Sequence, residues 1–245
     1  PTLVLLGASS VTIECGASFN DPGAAANDTC DATVPVVNDA ATAINTTSPG
    51  TYTVTYSATD DSGNKSTVTR TVVVRDVTKP VITLNGPSSL TFECDSVYTD
   101  AGATVTDACD AAITVSNNAA ANVHTDTPGT YTVNFVAQDA SGNTATATRS
   151  VTVLDSTKPI ITILGPSSLD IECGGTYTDA GATVLDTCDA AATLTINGAA
   201  AVNPNVPGVY NVTFTARDAS GNTESATRTV NVVDRAEPII TPVSY

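Results

Sequence analysis

Hydrophobic and polar residues alternate in short runs along the whole chain, and turn-forming residues interrupt the runs at close intervals. In the clearest run, Tyr131–Ala137, every second residue is hydrophobic. An alternation with a period of two is typical of a β-strand with one buried face. The segment that follows, Asp139–Asn143, is rich in turn-forming residues and precedes another run, Thr144–Leu154. This arrangement predicts a β-hairpin.

Four further runs of β-branched or alternating residues precede the hairpin, separated by Gly, Pro, Asn and Asp. They are Val81–Asn85, Leu90–Cys94, Ala103–Thr106 and Ile113–Ser116. Six or seven strands in about 80 residues is the density of an immunoglobulin-like sandwich. Because aromatic residues make up only 4% of the chain and Val and Thr are abundant, we expect small all-β units and no long amphipathic helix. A Tyr follows a Pro-Gly pair at equivalent strand starts, which predicts either a tyrosine corner or an ordinary packed side chain: Tyr52, Tyr131 and Tyr210.

The sequence repeats itself with a period of 79 residues. Cysteines and prolines mark this period, at Cys15, Cys94 and Cys173, at Cys30, Cys109 and Cys188, and at Pro1, Pro80, Pro159 and Pro238. Each copy has the size of an independent sandwich domain. We therefore expect three immunoglobulin-like β-sandwich domains in an elongated array, at residues 1–76, 77–155 and 156–234. Residues 235–245 begin a fourth repeat or form a closing strand. Short linkers containing Pro80, Pro159 and Pro238 are expected to restrict the joints.

The net charge of −16 argues against nucleic acid as a partner, because an acidic surface repels phosphate. No run of about 18 apolar residues is present, so we expect no membrane insertion in this segment.

Each copy contains two cysteines, separated by 15 positions. We expect disulfides within each repeat: Cys15–Cys30, Cys94–Cys109 and Cys173–Cys188. A zinc site would need four nitrogen or sulfur ligands, and a copy offers two. Disulfides indicate an oxidising compartment, and therefore a secreted, extracellular or cell-surface protein.

Eighteen of the 25 acidic residues recur at the repeat period, six in each copy. In an immunoglobulin-like topology, the Asp that ends one copy should lie near the last hairpin loop of the next copy. Oxygen ligands gathered in this way suit Ca²⁺ at the domain junctions, and the residues are Asp76, Asp139 and Asn143 at one junction and Asp155, Asp218 and Asn222 at the other. The alternative is that the Asp139–Asn143 loop is turn chemistry without an ion.

A second acidic cluster surrounds Cys109 and consists of Asp100, Asp107 and Asp110. It is interpreted as a set of turn-forming residues, with a loop ion as the alternative. Glu93 and Arg149 are present in equivalent positions of every copy, and they are predicted to pair across strands.

No catalytic constellation repeats along the chain. The single histidine, His124, has no counterpart in the other copies, which excludes a repeated Ser-His or Cys-His site. We therefore expect no enzyme activity and no required cofactor.

Five motifs together resemble the bacterial immunoglobulin-like repeats related to HYR domains. They are Pro-x-Ile-Thr, Glu-Cys-x-x-x-Tyr-x-Asp-x-Gly-Ala, Pro-Gly-x-Tyr-x-Val, Asp-x-Ser-Gly-Asn and Arg-x-Val-x-Val-x-Asp. The resemblance covers all three copies and implies a non-catalytic spacer, adhesion or interaction module of secreted and surface proteins.

The function expected from these observations is structural: a non-enzymatic extracellular repeat protein that forms part of a surface stalk, filament or surface layer. Its partners would be other copies of itself, in head-to-tail or lateral assembly, or other surface proteins and glycans. The alternative is an adhesin or a carbohydrate-binding or protein-binding module that uses the variable loops Asn38–Ser48, Asn117–Thr127 and Asn197–Val206.

Overall fold

The computed structural model describes residues 1–238, and these residues form an almost entirely β structure. Each of the three repeats contributes one two-stranded and one four-stranded sheet. The structure therefore confirms the all-β class and the three tandem immunoglobulin-like sandwiches. Residues 239–245, which include most of the predicted fourth-repeat segment, lie outside the described residues.

The first repeat contains six strands and one short helix. They are β1 (Thr2–Leu5), β2 (Ser10–Glu14), β3 (Ala24–Asn27), β4 (Val36–Asn38), α1 (Ala40–Ala43), β5 (Gly50–Thr59) and β6 (Lys65–Arg75). Strands β1 and β3 pair in an antiparallel fashion, and the larger sheet has the order β2-β6-β5-β4. Strand β2 runs parallel to β6, so both strands end at the same edge of the repeat.

The other two repeats have the same topology. The second contains β7 (Val81–Leu84), β8 (Ser89–Glu93), β9 (Ala103–Thr106), β10 (Val115–Asn117), α2 (Ala119–Asn122), β11 (Gly129–Gln138) and β12 (Thr144–Leu154). The third contains β13 (Ile160–Ile163), β14 (Ser168–Glu172), β15 (Ala182–Leu185), β16 (Thr193–Asn197), a 3-10 turn (Ala199–Ala201), β17 (Gly208–Arg217) and β18 (Thr223–Val233).

Residue contacts divide the chain into two compact units. The first consists of Pro1–Ser88, Asp100–Ala120 and Val133–Arg149. The second consists of Ser89–Thr99, Ala121–Thr132 and the chain from Ser150 onward. Each junction between successive repeats falls inside one unit, the first junction in the first unit and the second junction in the second.

The cores are small and rich in valine. In the first repeat Val54, Tyr56 and Val72 are fully buried, and residues of the two-stranded sheet such as Leu3 and Leu5 pack against them. In the third repeat Val212, Phe214 and Val230 have the same role. The alternation along the long hairpin strands places these residues on the buried face, as the sequence pattern predicts.

The tyrosine-corner prediction is confirmed in all three repeats. Each tyrosine hydroxyl donates a hydrogen bond to a backbone carbonyl four residues upstream. The pairs are Tyr52 to Ser48 at 2.9 Å, Tyr131 to Thr127 at 2.7 Å and Tyr210 to Val206 at 3.0 Å.

A buried arginine connects the two sheets of each sandwich, and its acidic partner differs from the predicted one. Arg149 is fully buried and pairs with Asp100, not with Glu93. Arg70 and Arg228 pair with Asp21 and Asp179 in the same way. The predicted pairing is wrong because Glu93 is the last residue of β8, where its side chain reaches the linker that leaves the repeat.

Candidate functional site

The linkers are held by glutamates from the preceding repeat. Glu14, at the end of β2, accepts hydrogen bonds through Oε1 from the Val77 amide at 2.9 Å and the Thr78 hydroxyl at 2.8 Å. These bonds favour the charged carboxylate and lower the pKa of Glu14. Because β2 and β6 end side by side, Glu14 lies next to the linker that follows β6.

The second linker repeats this arrangement. Glu93 Oε1 accepts hydrogen bonds from the Ser156 amide at 2.7 Å and the Thr157 hydroxyl at 3.1 Å, and its pKa is lowered for the same reason. At the end of the third repeat, Glu172 accepts from the Arg235 amide at 2.8 Å. Pro80 and Pro159 lie in the two linkers, as predicted, and both are buried.

The disulfides join successive repeats. Cys15 is bonded to Cys109 and Cys94 to Cys188, with Cα atoms 6.1 Å and 6.0 Å apart. The prediction of bonds within each repeat, Cys15–Cys30, Cys94–Cys109 and Cys173–Cys188, is therefore wrong. Among the described residues, Cys30 and Cys173 have free thiols.

The strand directions explain why the two cysteines of one repeat do not meet. Cys15 follows β2, and its amide donates to the carbonyl of Arg75 where β6 leaves the repeat. Cys30 follows β3, whose last residue, Asn27, pairs with Thr2 where the chain enters the repeat. The two cysteines thus lie at opposite ends of one sandwich. Each observed bond closes a loop of 94 residues, which the chain-entropy model values at about 4.5 kcal/mol, against about 3 kcal/mol for the shorter predicted loop.

Aspartates gather beside each disulfide. At the first junction Asp76, Asp110 and Asp139 each offer a carboxylate oxygen within 4.8 Å of the others, and Asp76 and Asp107 approach equally closely next to Cys109. At the second junction Asp155 and Asp186 meet next to Cys188. Asp189 and Asp218 are the equivalents of Asp110 and Asp139 in the next repeat, and Asp189 accepts a hydrogen bond from the Ala219 amide at 2.8 Å, as Asp110 does from Ala140. We call the two sets the aspartate quartets.

Backbone amides fix the orientation of three carboxylates in the first quartet. Asp107 Oδ1 accepts from the amides of Cys109 and Asp110 at 2.8 Å and 3.2 Å. Asp110 Oδ2 accepts from the Ala140 amide at 2.6 Å. Asp76 Oδ1 accepts from the Thr78 amide at 3.1 Å.

The remaining oxygens of the quartets include four that are buried and accept no hydrogen bond from residues 1–238. They are Oδ2 of Asp76 and Asp107 at the first junction and Oδ2 of Asp155 and Asp186 at the second. Burial, together with repulsion by Asp107 and Asp139, raises the pKa of Asp76 against the effect of its hydrogen bonds with Thr78 and Ser141.

The equivalent acids of the first repeat face a positive charge. The ammonium group of Pro1 lies 2.9 Å from Asp28 and 3.8 Å from Asp60. A hydrogen bond from the ammonium to Asp28 raises the pKa of this amino group. In the part of the chain that the structure describes, no lysine or arginine forms a salt bridge with a member of either quartet.

The structure brings together most of the residues predicted at the junctions. Asp76 lies beside Asp139, as expected, and Asn143 is next to them. The Asn143 amide group donates to the Asp76 carbonyl at 3.2 Å and to Asp139 at 2.8 Å. Asn222 donates in the same way to Asp155 and Asp218.

The prediction of turn-forming residues in the second cluster is confirmed for Asp100, which accepts from the Gly102 amide at 2.6 Å, and for Asp107, which accepts from the Cys109 amide at 2.8 Å. The three aspartates do not, however, form one separate group. Asp107 and Asp110 belong to the quartet, whereas Asp100 pairs with Arg149. Sequence reasoning missed this because the loop that carries Asp107 and Asp110 lies beside the hairpin loop only in the folded sandwich. The hydrogen bond from Ala140 to Asp110 across 30 residues is the contact that joins them.

Repeated sandwiches with tyrosine corners and with disulfides between successive copies define a tandem immunoglobulin-like repeat protein. A family profile described as "Bacterial surface protein, Ig-like domain" matches residues 3–74, 82–153 and 161–232. The chain belongs to this family of bacterial surface immunoglobulin-like domains.

Curated relatives include two proteins named hyalin. The one from Strongylocentrotus purpuratus is 34% identical over 217 residues, which cover 78% of this chain and 17% of the relative. The one from Lytechinus variegatus is 33% identical over 201 residues, which cover 74% of this chain and 36% of the relative. An uncharacterized 81.3 kDa protein of Acholeplasma phage L2 is 30% identical over 195 residues, which cover 75% of this chain and 26% of the relative. The chain thus spans about a third or less of the length of these relatives.

Among solved structures, the match to the PcdhgB3 EC1-4 structure covers 94% of this chain and 76% of that chain, with 13% identity and a TM-score of 0.34. The match to the human desmocollin-1 ectodomain covers 75% of this chain and 47% of that chain, with 16% identity and a TM-score of 0.30. Similarity at this level carries no argument about the fold or function of this protein. Among the described residues, no helix has the length and apolar character needed to cross a membrane.

Proposed function

We propose that this chain is a non-enzymatic, extracellular structural segment of a surface stalk, filament or surface layer. The observation that supports it is the bonding of successive repeats by Cys15–Cys109 and Cys94–Cys188. A binding module needs one folded domain, whereas a disulfide from each repeat to the next is useful where the connection between domains bears a load. The surface immunoglobulin-like family and the disulfides support an extracellular location.

The two disulfides limit how far the chain can be pulled out. The bonded loops overlap, because Cys94 lies inside the first loop and Cys109 inside the second. The shortest covalent path from Cys15 to Cys188 therefore crosses both disulfides and only the 15 residue steps between Cys94 and Cys109. A fully extended chain spans about 3.5 Å per residue, so this path measures about 50 Å, against about 600 Å without the disulfides.

Pulling single molecules from both ends tests the load-bearing function. With disulfides intact, we expect the segment from Cys15 to Cys188 to extend by no more than its short covalent path, even after the sandwiches unfold. Reduction should release the full length of this segment. A chain with all six cysteines replaced by serine is the matched control and should behave as the reduced protein does. Release of the full length from the oxidised chain would contradict the proposal.

Self-association is the partner interaction that the free thiols support. Cys173 follows β14 and donates its amide to the Val233 carbonyl at 2.8 Å, as Cys15 does to Arg75 and Cys94 to Leu154. Cys30 donates its amide to Asp28, as Cys109 and Cys188 do to their own aspartates. We infer that, in head-to-tail assembly, Cys173 of one chain forms a disulfide with Cys30 of the next chain.

The second candidate is an adhesin or other binding module. An open groove of about 740 Å³ in the first repeat supports it, because its walls include Asn38, Ile44 and Thr46 from one of the variable loops. Exchanging residues 38–48 with the equivalent loop of the second repeat, followed by binding assays on glycans and cell surfaces, tests this candidate. Loss of binding would favour the adhesin, and unchanged binding would reject this loop as the contact surface.

A further inference from the structure

We propose that each aspartate quartet binds one Ca²⁺ ion, so that the described chain holds two. The first site consists of Asp76, Asp107, Asp110 and Asp139, and the second of Asp155, Asp186, Asp189 and Asp218. This assignment rests on the geometry of the acids and does not depend on the load-bearing function.

The first argument is the state of the buried carboxylates. Asp76 is 7% exposed and Asp186 is 9% exposed, yet Oδ2 of each has no hydrogen-bond partner among residues 1–238. A buried carboxylate oxygen without a partner is costly unless a cation or a hydrogen-bond donor compensates it. The other oxygen of each accepts a hydrogen bond from a backbone amide. A carboxylate oxygen of Asp76 lies within 4.8 Å of Asp110 and Asp139, and one of Asp186 lies equally close to Asp155.

The second argument is recurrence. The same two positions carry unpaired oxygens at both junctions, Asp76 and Asp107 in one and Asp155 and Asp186 in the other. An accident of side-chain placement would not be expected to appear twice in the same atoms.

The donor set selects the class of metal. All available ligand atoms are carboxylate oxygens, because the sulfurs of Cys109 and Cys188 are in disulfides. Hard oxygen donors suit Ca²⁺ or Mg²⁺, and thiolate-seeking metals are disfavoured. Ca²⁺ accepts six to eight oxygen ligands in irregular geometry, whereas Mg²⁺ requires a near-ideal octahedron. Four carboxylates contributed by three separate segments, the linker, the loop with the two central aspartates and the hairpin loop, therefore favour Ca²⁺.

The ligand set differs from the set predicted from sequence. Asp76, Asp139, Asp155 and Asp218 are retained, and Asp107, Asp110, Asp186 and Asp189 are added. Asn143 and Asn222 serve as supports, since their amide groups donate hydrogen bonds to the ligands and to the linker carbonyls.

Titration calorimetry of the full oxidised chain with CaCl₂ tests the assignment, after removal of bound metal with a chelator. We expect two ions per chain for the parent protein, one each for Asp76→Asn and Asp155→Asn, and none for the double variant. Asp126→Asn, at an exposed position outside both quartets, is the matched control and should keep two. Ca²⁺ should also raise the melting temperature of the parent chain by several degrees, and MgCl₂ at the same concentration should raise it less.

The variants are expected to fold, because Asn keeps the shape of Asp and removes one repelling charge; a melting curve without metal checks this. Absence of calcium binding by the parent chain, or two ions retained by the double variant, would overturn the site. An equal effect of Mg²⁺ would overturn the assignment to calcium.

Discussion

Each sandwich contains a buried arginine that gathers polar groups from one edge of the fold. In the second repeat, Arg149 donates to the carbonyls of Pro87 at 3.0 Å, Asn85 at 2.6 Å and Gly102 at 3.3 Å, and it pairs with Asp100. Its guanidinium also lies over the ring of Phe135, 5.4 Å from the centroid. The arginine thus binds the turns at the ends of the small sheet to the large sheet.

Replacing Arg149 by Met should lower the free energy of unfolding of the second repeat by about 3–5 kcal/mol, because the buried Asp100 carboxylate would lose its ion pair. Chemical denaturation of the oxidised chain, with hydrogen exchange to locate the loss, measures this effect. Arg235→Met is the matched control: its pair with Asp170 is exposed, so the expected cost is below about 1 kcal/mol. Equal costs for the two variants would show that burial of the pair is not what makes Arg149 important.

At the scale of elements, the parallel pairing of the second and last strands decides what the linker contacts. Because β2 ends beside β6, Glu14 can accept hydrogen bonds from the linker that follows β6. The same parallel pair places Cys15 at the exit of the repeat, within reach of the next one. One strand direction therefore positions both the glutamate and the disulfide.

The lowered pKa of Glu14 implies a pH-dependent contribution to stability. A carboxyl whose pKa is depressed on folding stabilises the protein above its ordinary pKa, 4.5 here, and loses this contribution as the pH falls through the folded-state value. We expect Glu14→Gln to lower the melting temperature at pH 7, and the curves of variant and parent to converge as the pH falls from 4.5 through the lowered folded-state pKa of Glu14. Calorimetry across pH measures this.

Glu237→Gln serves as a control for Glu14→Gln, since Glu237 is exposed and follows the last strand. Its melting temperature should match that of the parent at every pH. A difference between Glu14→Gln and the parent that stays constant down to pH 3 would contradict the role of the charged carboxylate.

At the scale of the whole molecule, each repeat forms one disulfide with each neighbouring repeat and uses a different cysteine for each bond. The free thiols of Cys30 and Cys173 follow the same pattern and can take part in the same bond. Oxidation of the two thiols by glutathione disulfide would form one S–S bond and release two molecules of glutathione, which balances the two electrons and two protons transferred.

Incubating the chain with glutathione disulfide should therefore produce a ladder of covalent oligomers on a non-reducing gel. Cys30→Ser and Cys173→Ser should each stay monomeric, because the head-to-tail bond needs both thiols, and an equimolar mixture of the two variants should stop at dimers. The double variant should stay monomeric. A parent chain that remains monomeric at high concentration, or a ladder in the double variant, would contradict head-to-tail bonding.

Much of the fold could be predicted because each signal was local. The period of two along residues 131–137 and the turn residues of Asp139–Asn143 identified the long hairpin, and the observed strands β9 and β12 have the predicted bounds. The proximity of Asp76 and Asp139 also followed from the topology of the class. The roles of Glu93 and Asp100 could not be predicted, since their partners depend on which strand ends lie side by side.

The amino-acid sequence by itself determined the repeat, the all-β class and the presence of a cysteine and acid set in every copy. It did not determine which copy each cysteine joins. In a periodic sequence, a bond within a repeat and a bond to the next repeat differ by one whole period and use the same residue types. Only the tertiary structure distinguishes them, because the strand directions place Cys15 at the exit of one sandwich and Cys109 at the entrance of the next.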